Sequence, residues 1–123
     1  MHEGPHRISS LLLGQGLKAN MIVSNEPGYY ENGNFGIRIE NLLEVVERPE
    51  MGSFGGNGFL GFKKLTMIPI QKKMLVLDLL TDDDLKWLND YHQDISSKVG
   101  PLLTSEEARV WLDRSTAPII RGQ

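Results

Sequence analysis

The sequence predicts an α+β chain, with antiparallel strands first and two helices closing the C-terminal end. From Phe35 the side chains alternate, Ile37 and Ile39 on one face and Arg38 and Glu40 on the other, which is the period of a strand. Pro27-Gly28, Asn32-Gly33-Asn34 and Gly36 interrupt the earlier apolar run with residues that stop strands or accept turns. After Thr81 the period changes to that of a helix.

The 123 residues fit one domain with a modest core. Apolar residues make up 40% and charged residues 24%, the balance of a soluble globular chain. A net charge of -3 without a basic block excludes nucleic acid and anionic membrane as electrostatic partners. Without cysteine there are no disulfides and no thiolate metal sites. No apolar run reaches the roughly 20 residues of a membrane span, no signal-peptide pattern opens the chain, and a cytoplasmic location is expected.

The segment Met21–Asn41 reads as strand, turn, strand. Met21, Ile22 and Val23 form the first strand, and the second begins at Phe35 and continues as Leu42-Leu43-Glu44-Val45-Val46 until Pro49. This arrangement places Glu26 and Glu40 near the strand ends, with Arg38 on the face of Glu40. Two carboxylates held on neighbouring strands suit a hard divalent cation or general acid-base work; an ordinary charged surface hairpin is the plainer reading. Met51 to Phe62 carries five glycines but lacks the Lys-Ser/Thr ending of a phosphate loop, so it reads as a flexible hairpin connection. Lys64 to Ile70 reads as a third strand, and Met74 to Leu79 as a short strand or the approach to a helix.

Thr81 with Asp84 three residues on is a capping-box pattern, and Asp82-Asp83-Asp84 complement the positive end of the helix dipole. The three aspartates point in different directions around a helix, so they cap and do not chelate. Leu85, Leu88, Tyr91 or His92, Ile95 and Val99 give the packing stripe, and Gly100-Pro101 ends it. His92 belongs to that stripe and not to a metal. Thr104 with Glu107 predicts a second, shorter helix carrying Ala108, Trp111 and Leu112, followed by a tail from Ser115 to Gln123. Residues 1–80 therefore form a mainly β part and 81–123 a helical part of a single domain. Near the start, Arg7 to Leu17 reads as a loop with an apolar patch at Leu11-Leu12-Leu13, and His6 has no visible role. The residues alone leave His2 a frayed terminal side chain.

Four stretches in one order, HEGP at His2–Pro5, SNEPGYY at Ser24–Tyr30, FGIRIEN at Phe35–Asn41 and LTMIPIQ at Leu65–Gln71, resemble the C-terminal part of the X-prolyl aminopeptidases, members of the pita-bread (creatinase/aminopeptidase-like) metallopeptidases. The resemblance extends to about Ile119. It implies hydrolysis of the bond between an N-terminal residue and a following proline. The work is done by two divalent metals, commonly manganese, bound to two aspartates, one histidine and two glutamates. By resemblance Glu26 is a ligand that also helps move the proton of the attacking water, and Glu40 bridges both metals. Arg38 fixes the carboxylates. His2 donates a proton or contacts the substrate carbonyl, and Tyr30 is a weaker candidate beside the substrate.

In the family the aspartates and the ligand histidine precede HEGP, so this chain shows two of the five ligands. It therefore reads as the C-terminal half of a pita-bread catalytic domain, present as a fragment. Such a fragment is expected to hold metal weakly or not at all and to be inactive alone. A non-catalytic interaction or dimerisation module derived from the same fold is the alternative. A single-metal hydrolase built from Glu26, Glu40 and a histidine would need His2 rigid at a free terminus. The expected partners are a peptide with proline in second place, the absent N-terminal half, and a second copy of the chain. Ile22, Ile37, Ile39, Leu65, Met67 and Ile68 are candidates for the apolar seam between halves.

Overall fold

A computed structural model describes residues 4, 6–8, 10 and 15–121; His2 and Leu11-Leu12-Leu13 lie outside the described residues. The chain forms two compact units, one running to Thr66 and the other starting at Met67.

The first unit resolves the expected strand-turn-strand into four strands, because both arms of the hairpin break. Strands β1 (Ile22–Asn25) and β4 (Asn41–Glu47) pair antiparallel, with Val23 opposite Leu43 and Asn25 opposite Asn41. Nested inside them, β2 (Gly28–Tyr30) pairs with β3 (Gly36–Arg38), with Gly28 opposite Arg38. Asn20 opens the outer pair from the left-handed region, φ 69°, a conformation asparagine tolerates better than most residues. Its amide already reaches the Val45 carbonyl at 2.8 Å. Val23 and Val45 are buried, as alternation along β1 and β4 requires.

The glycine-rich stretch from Met51 to Phe62 contains a defined hairpin and then enters the next strand. Strands β5 (Ser53–Phe54) and β6 (Asn57–Gly58) face each other across Gly55-Gly56, at φ +58° and +82°. Two positive-φ residues make the two-residue turn whose twist matches antiparallel strands, and glycine adopts it without cost to a Cβ. The third strand expected at Lys64 to Ile70 ends where that segment begins. It is β7 (Leu60–Lys64), which pairs with β4 and completes a sheet ordered β1-β4-β7. Gly61 sits in this strand because the Arg48 side chain lies across it, 2.9 Å from where a Cβ would stand. Beyond Lys64 the pairing with Leu42 continues through Leu65 N–H to Leu42 O, 3.0 Å, and Leu42 N–H to Thr66 Oγ1, 2.8 Å. Pro69, which lacks an N–H, suits the non-strand course that follows.

In the second unit, Met74 to Leu79 is not a strand. Tight 3₁₀ turns at Lys72–Met74 and Leu77–Leu79 lead instead to α1 (Asp82–Val99). The capping box is complete. Thr81 Oγ1 accepts from the Asp84 amide at 3.1 Å, and Asp84 Oδ2 accepts from the Thr81 amide at 2.8 Å. Leu85, Leu88, Tyr91, His92 and Ile95 are buried along one stripe. The second helix, α2 (Glu106–Thr116), starts one residue later than the Thr104 pattern predicts. Ser105 is extended, and its hydroxyl takes the Ala108 amide at 3.3 Å, which makes it the N-cap. The helix also runs past Ser115 to Thr116, whose hydroxyl donates back to the Leu112 carbonyl at 2.8 Å. Tyr91, Ile95 and Leu112 form the core, with Met67, Ile70, Val99 and Leu103 packed around it. Of the expected seam residues, Ile22, Ile39, Leu65 and Ile68 are exposed, while Met67 is drawn into this core.

His92 is fully buried, and its Nε2 accepts the Ile70 amide at 3.1 Å. The ring is therefore neutral with its proton on Nδ1, an atom with no partner among the described residues. Burial, and next the nearby Lys72 ammonium, hold its pKa below the ordinary histidine value. The unfolded chain regains that ordinary value, about 6.5, and so binds the proton more readily than the folded chain. Stability from this group is complete above about pH 6.5 and declines as the pH falls below it. Urea melts at pH 7.5 and 5.5 should show that loss, and His92→Gln, which cannot titrate, should flatten it. Thr81→Ala removes the cap and should cost about 1 kcal/mol in the same melts at neutral pH.

Candidate functional site

The break in the hairpin creates the site. The β1–β4 ladder ends at Asn25 and Asn41, and the β2–β3 ladder begins at Gly28 and Arg38. Between them Glu26-Pro27 faces Ile39-Glu40. Pro27 has no N–H to donate, so its contribution to the pairing is its carbonyl, which accepts the Ile39 amide at 3.2 Å. The two glutamates thus occupy equivalent places, one on each arm, where regular pairing is interrupted.

Arg38 joins them. Its Nη1 lies 3.4 Å from Glu26 Oε2 and its Nη2 lies 3.6 Å from Glu40 Oε2. Both carboxylates therefore turn toward one guanidinium, as placement on one side of the hairpin requires. The side chains are 28% and 33% exposed, enough to shed part of their water yet remain reachable by an ion. Two negative charges against one positive leave an excess that attracts a cation. Ser24 adds a further contact, donating from Oγ to Glu26 Oε1 at 2.9 Å.

On the hairpin beyond, Gly28, Tyr30, Gly36 and Arg38 share a face. The Tyr30 ring lies over both glycines, so closely that a Cβ at either would stand 2.7 Å from it. The opposite face carries Tyr29 and Phe35, with ring centroids 5.8 Å apart.

Glu26, Glu40 and Arg38 are brought together; Tyr30 shares a face of the hairpin with Arg38, its ring over Gly28 and Gly36. The placement of His2 lies outside the described residues. His6 proves to have a structural contact, Nε2 to the Ile22 carbonyl at 2.9 Å, for which the sequence carries no signal. Ser24 had one, since two residues before Glu26 on an extended strand is the same face. His92 is buried on the helical stripe, as its spacing suggests. In the helical unit, Lys72, Leu75, Leu77, Pro118, Ile119 and Ile120 line an open pocket of about 240 Å³.

Among the described residues no group of three or more His, Cys, Asp or Glu side chains converges as a metal cluster. Glu26 and Glu40 fit a hard divalent cation by the chemistry of their oxygens, as two donors that leave the rest of its coordination shell to other ligands.

Comparison with known proteins gives this arrangement its context. Residues 1–47 match metallopeptidase family M24, and residues 58–119 match the C-terminal region of peptidase M24. The chain is 50% identical to a probable Xaa-Pro aminopeptidase P of Coprinopsis cinerea, over 97% of this chain and 20% of that protein. It is 48% identical to aminopeptidase P2 of Arabidopsis thaliana, over 98% of this chain and 17% of that protein. The chain thus spans a fifth or less of the length of these curated relatives. An X-prolyl aminopeptidase of Caenorhabditis elegans, a cytosolic enzyme with a di-nuclear active site, superposes with a TM-score of 0.72. That match is 37% identical and covers 84% of this chain and 17% of the other. Among the described residues no helix is long and apolar enough to cross a membrane. Antiparallel strands followed by two helices are the mixed α+β pattern of the corresponding part of a pita-bread aminopeptidase, and the chain belongs to metallopeptidase family M24.

Proposed function

We propose that this chain supplies the glutamate ligands, Glu26 and Glu40, of a dinuclear metallo-aminopeptidase that removes an N-terminal residue preceding proline. The observation that carries the reading is the convergence of both carboxylates on Arg38 at the break between two ladders. The cations, of which manganese is the expected one, supply an activated water when bound. Glu26 holds a carboxylate that can also accept a proton, and Glu40 holds one that can bridge. Arg38 keeps the two from repelling each other apart and fixes the planes of their oxygens. The remaining donors, two aspartates and a histidine, are expected from the part of such enzymes that precedes this stretch. His2 is assigned the substrate side of the site, and a cytosolic setting agrees with that of the C. elegans relative.

Alone, the chain should not cleave Xaa-Pro peptides, with or without Mn²⁺, because two donors do not fix two ions. Grafted in place of the matching stretch of the C. elegans enzyme, it should restore release of the first residue. Glu26→Gln or Glu40→Gln in the chimaera should then reduce turnover at least about a hundredfold. A folded chimaera indifferent to both substitutions would reject the ligand assignment and favour an interaction module. Arg38→Gln separates structure from chemistry. Its half-exposed ion pairs should be worth no more than about 1 kcal/mol in urea melts of the chain, yet its loss should weaken Mn²⁺ binding by the chimaera about 10- to 100-fold.

A further inference from the structure

The hydroxyl of Ser24 has no place in the ligand scheme, yet it donates to Glu26 Oε1 at 2.9 Å, closer than either approach of Arg38 to the glutamates. Arg38 holds the other oxygen, Oε2, at 3.4 Å. The two donors differ in how firmly they are mounted. The guanidinium is about half exposed and divides itself between two carboxylates. Ser24 is half-buried in β1 and registers opposite Leu42 in the three-stranded sheet. Leu42 is tied in turn on its other side by Leu65 N–H and Thr66 Oγ1. The hydroxyl thus refers Glu26 to the outer sheet, whereas Arg38 refers it to the inner hairpin.

We propose that Ser24 is a positioning residue for Glu26, holding Oε1 so that the carboxylate keeps one orientation before any cation arrives. One O–H occupies one lone pair of that oxygen and leaves the carboxylate further acceptor sites for an ion. Fixing the side chain in advance spares an incoming cation the entropy of ordering it. The inference deepens the reading of Glu26 as a ligand.

Two measurements on the full chain test it, with Ser24→Ala and the hydroxyl-retaining Ser24→Thr. Without metal, side-chain carbon couplings by NMR should report rotamer averaging at Glu26 in Ser24→Ala, none at Glu40, and recovery in Ser24→Thr. With Mn²⁺, the free ion followed by electron paramagnetic resonance should show affinity reduced about tenfold in Ser24→Ala and restored in Ser24→Thr. Glu26 as ordered in Ser24→Ala as in the unchanged chain would overturn the proposal. So would unchanged Mn²⁺ affinity in a chain whose binding is lost in Glu26→Gln. If Glu26→Gln binds like the unchanged chain, the ligand reading falls; if no variant binds, as two donors alone allow, the metal-free couplings decide on Ser24.

Discussion

A proline that cannot donate a hydrogen bond governs the β unit. Pro27 interrupts what would otherwise be one long hairpin and divides it into an outer ladder, β1–β4, and an inner one, β2–β3. At that division Glu26 and Glu40 are adjacent in space though 14 positions apart in sequence. Their convergence carries a repulsion, and its remedy is local. Arg38 sits on β3, opposite Gly28, and therefore arrives with the fold that creates the problem. The backbone places the charges and the charges do not have to place the backbone.

Much of this was legible from residue order. The alternation of Ile37, Arg38, Ile39 and Glu40 gave a strand with a charged face, and the Thr81–Asp84 spacing gave the start of α1. Both signals are short-range, written within four residues. What the sequence hid were choices between neighbours of similar propensity. Ser105 caps α2 in place of Thr104 because its own backbone is extended and its hydroxyl reaches the Ala108 amide. The third strand begins at Leu60 although Gly61 is a poor strand former, because a cross-strand partner and the overlying Arg48 compensate. Neither outcome could be read without knowing which segments meet. The doubled break in the hairpin was half visible: Pro27 marked it on one arm, and nothing in Ile39-Glu40 marked it on the other.

The helical unit is held by a different kind of contact. Its core is apolar, but polar side chains pin the segments that have no regular structure. His92 takes the Ile70 amide and Tyr91 donates to the Ile68 carbonyl, so two adjacent residues of α1 anchor the irregular stretch before it. Asn89 pairs with both backbone groups of Ile119, at 2.8 and 3.1 Å, and fixes the chain after α2. These bonds satisfy part-buried backbone groups outside any ladder, and the one to Ile70 gives the imidazole its place in an otherwise hydrophobic stripe.

The ring of Tyr30 over Gly28 and Gly36 has a consequence for how this hairpin can change over generations. Neither glycine has the positive φ that would demand glycine by itself; what bars a larger residue is the tyrosine resting above. The three positions form one heritable unit. A methyl group at Gly28 or Gly36 requires the exposed Tyr30 side chain to swing aside, and becomes admissible without any shift once position 30 has shrunk. Sequence drift across this hairpin is therefore coupled, the freedom of each glycine depending on where the ring at position 30 rests.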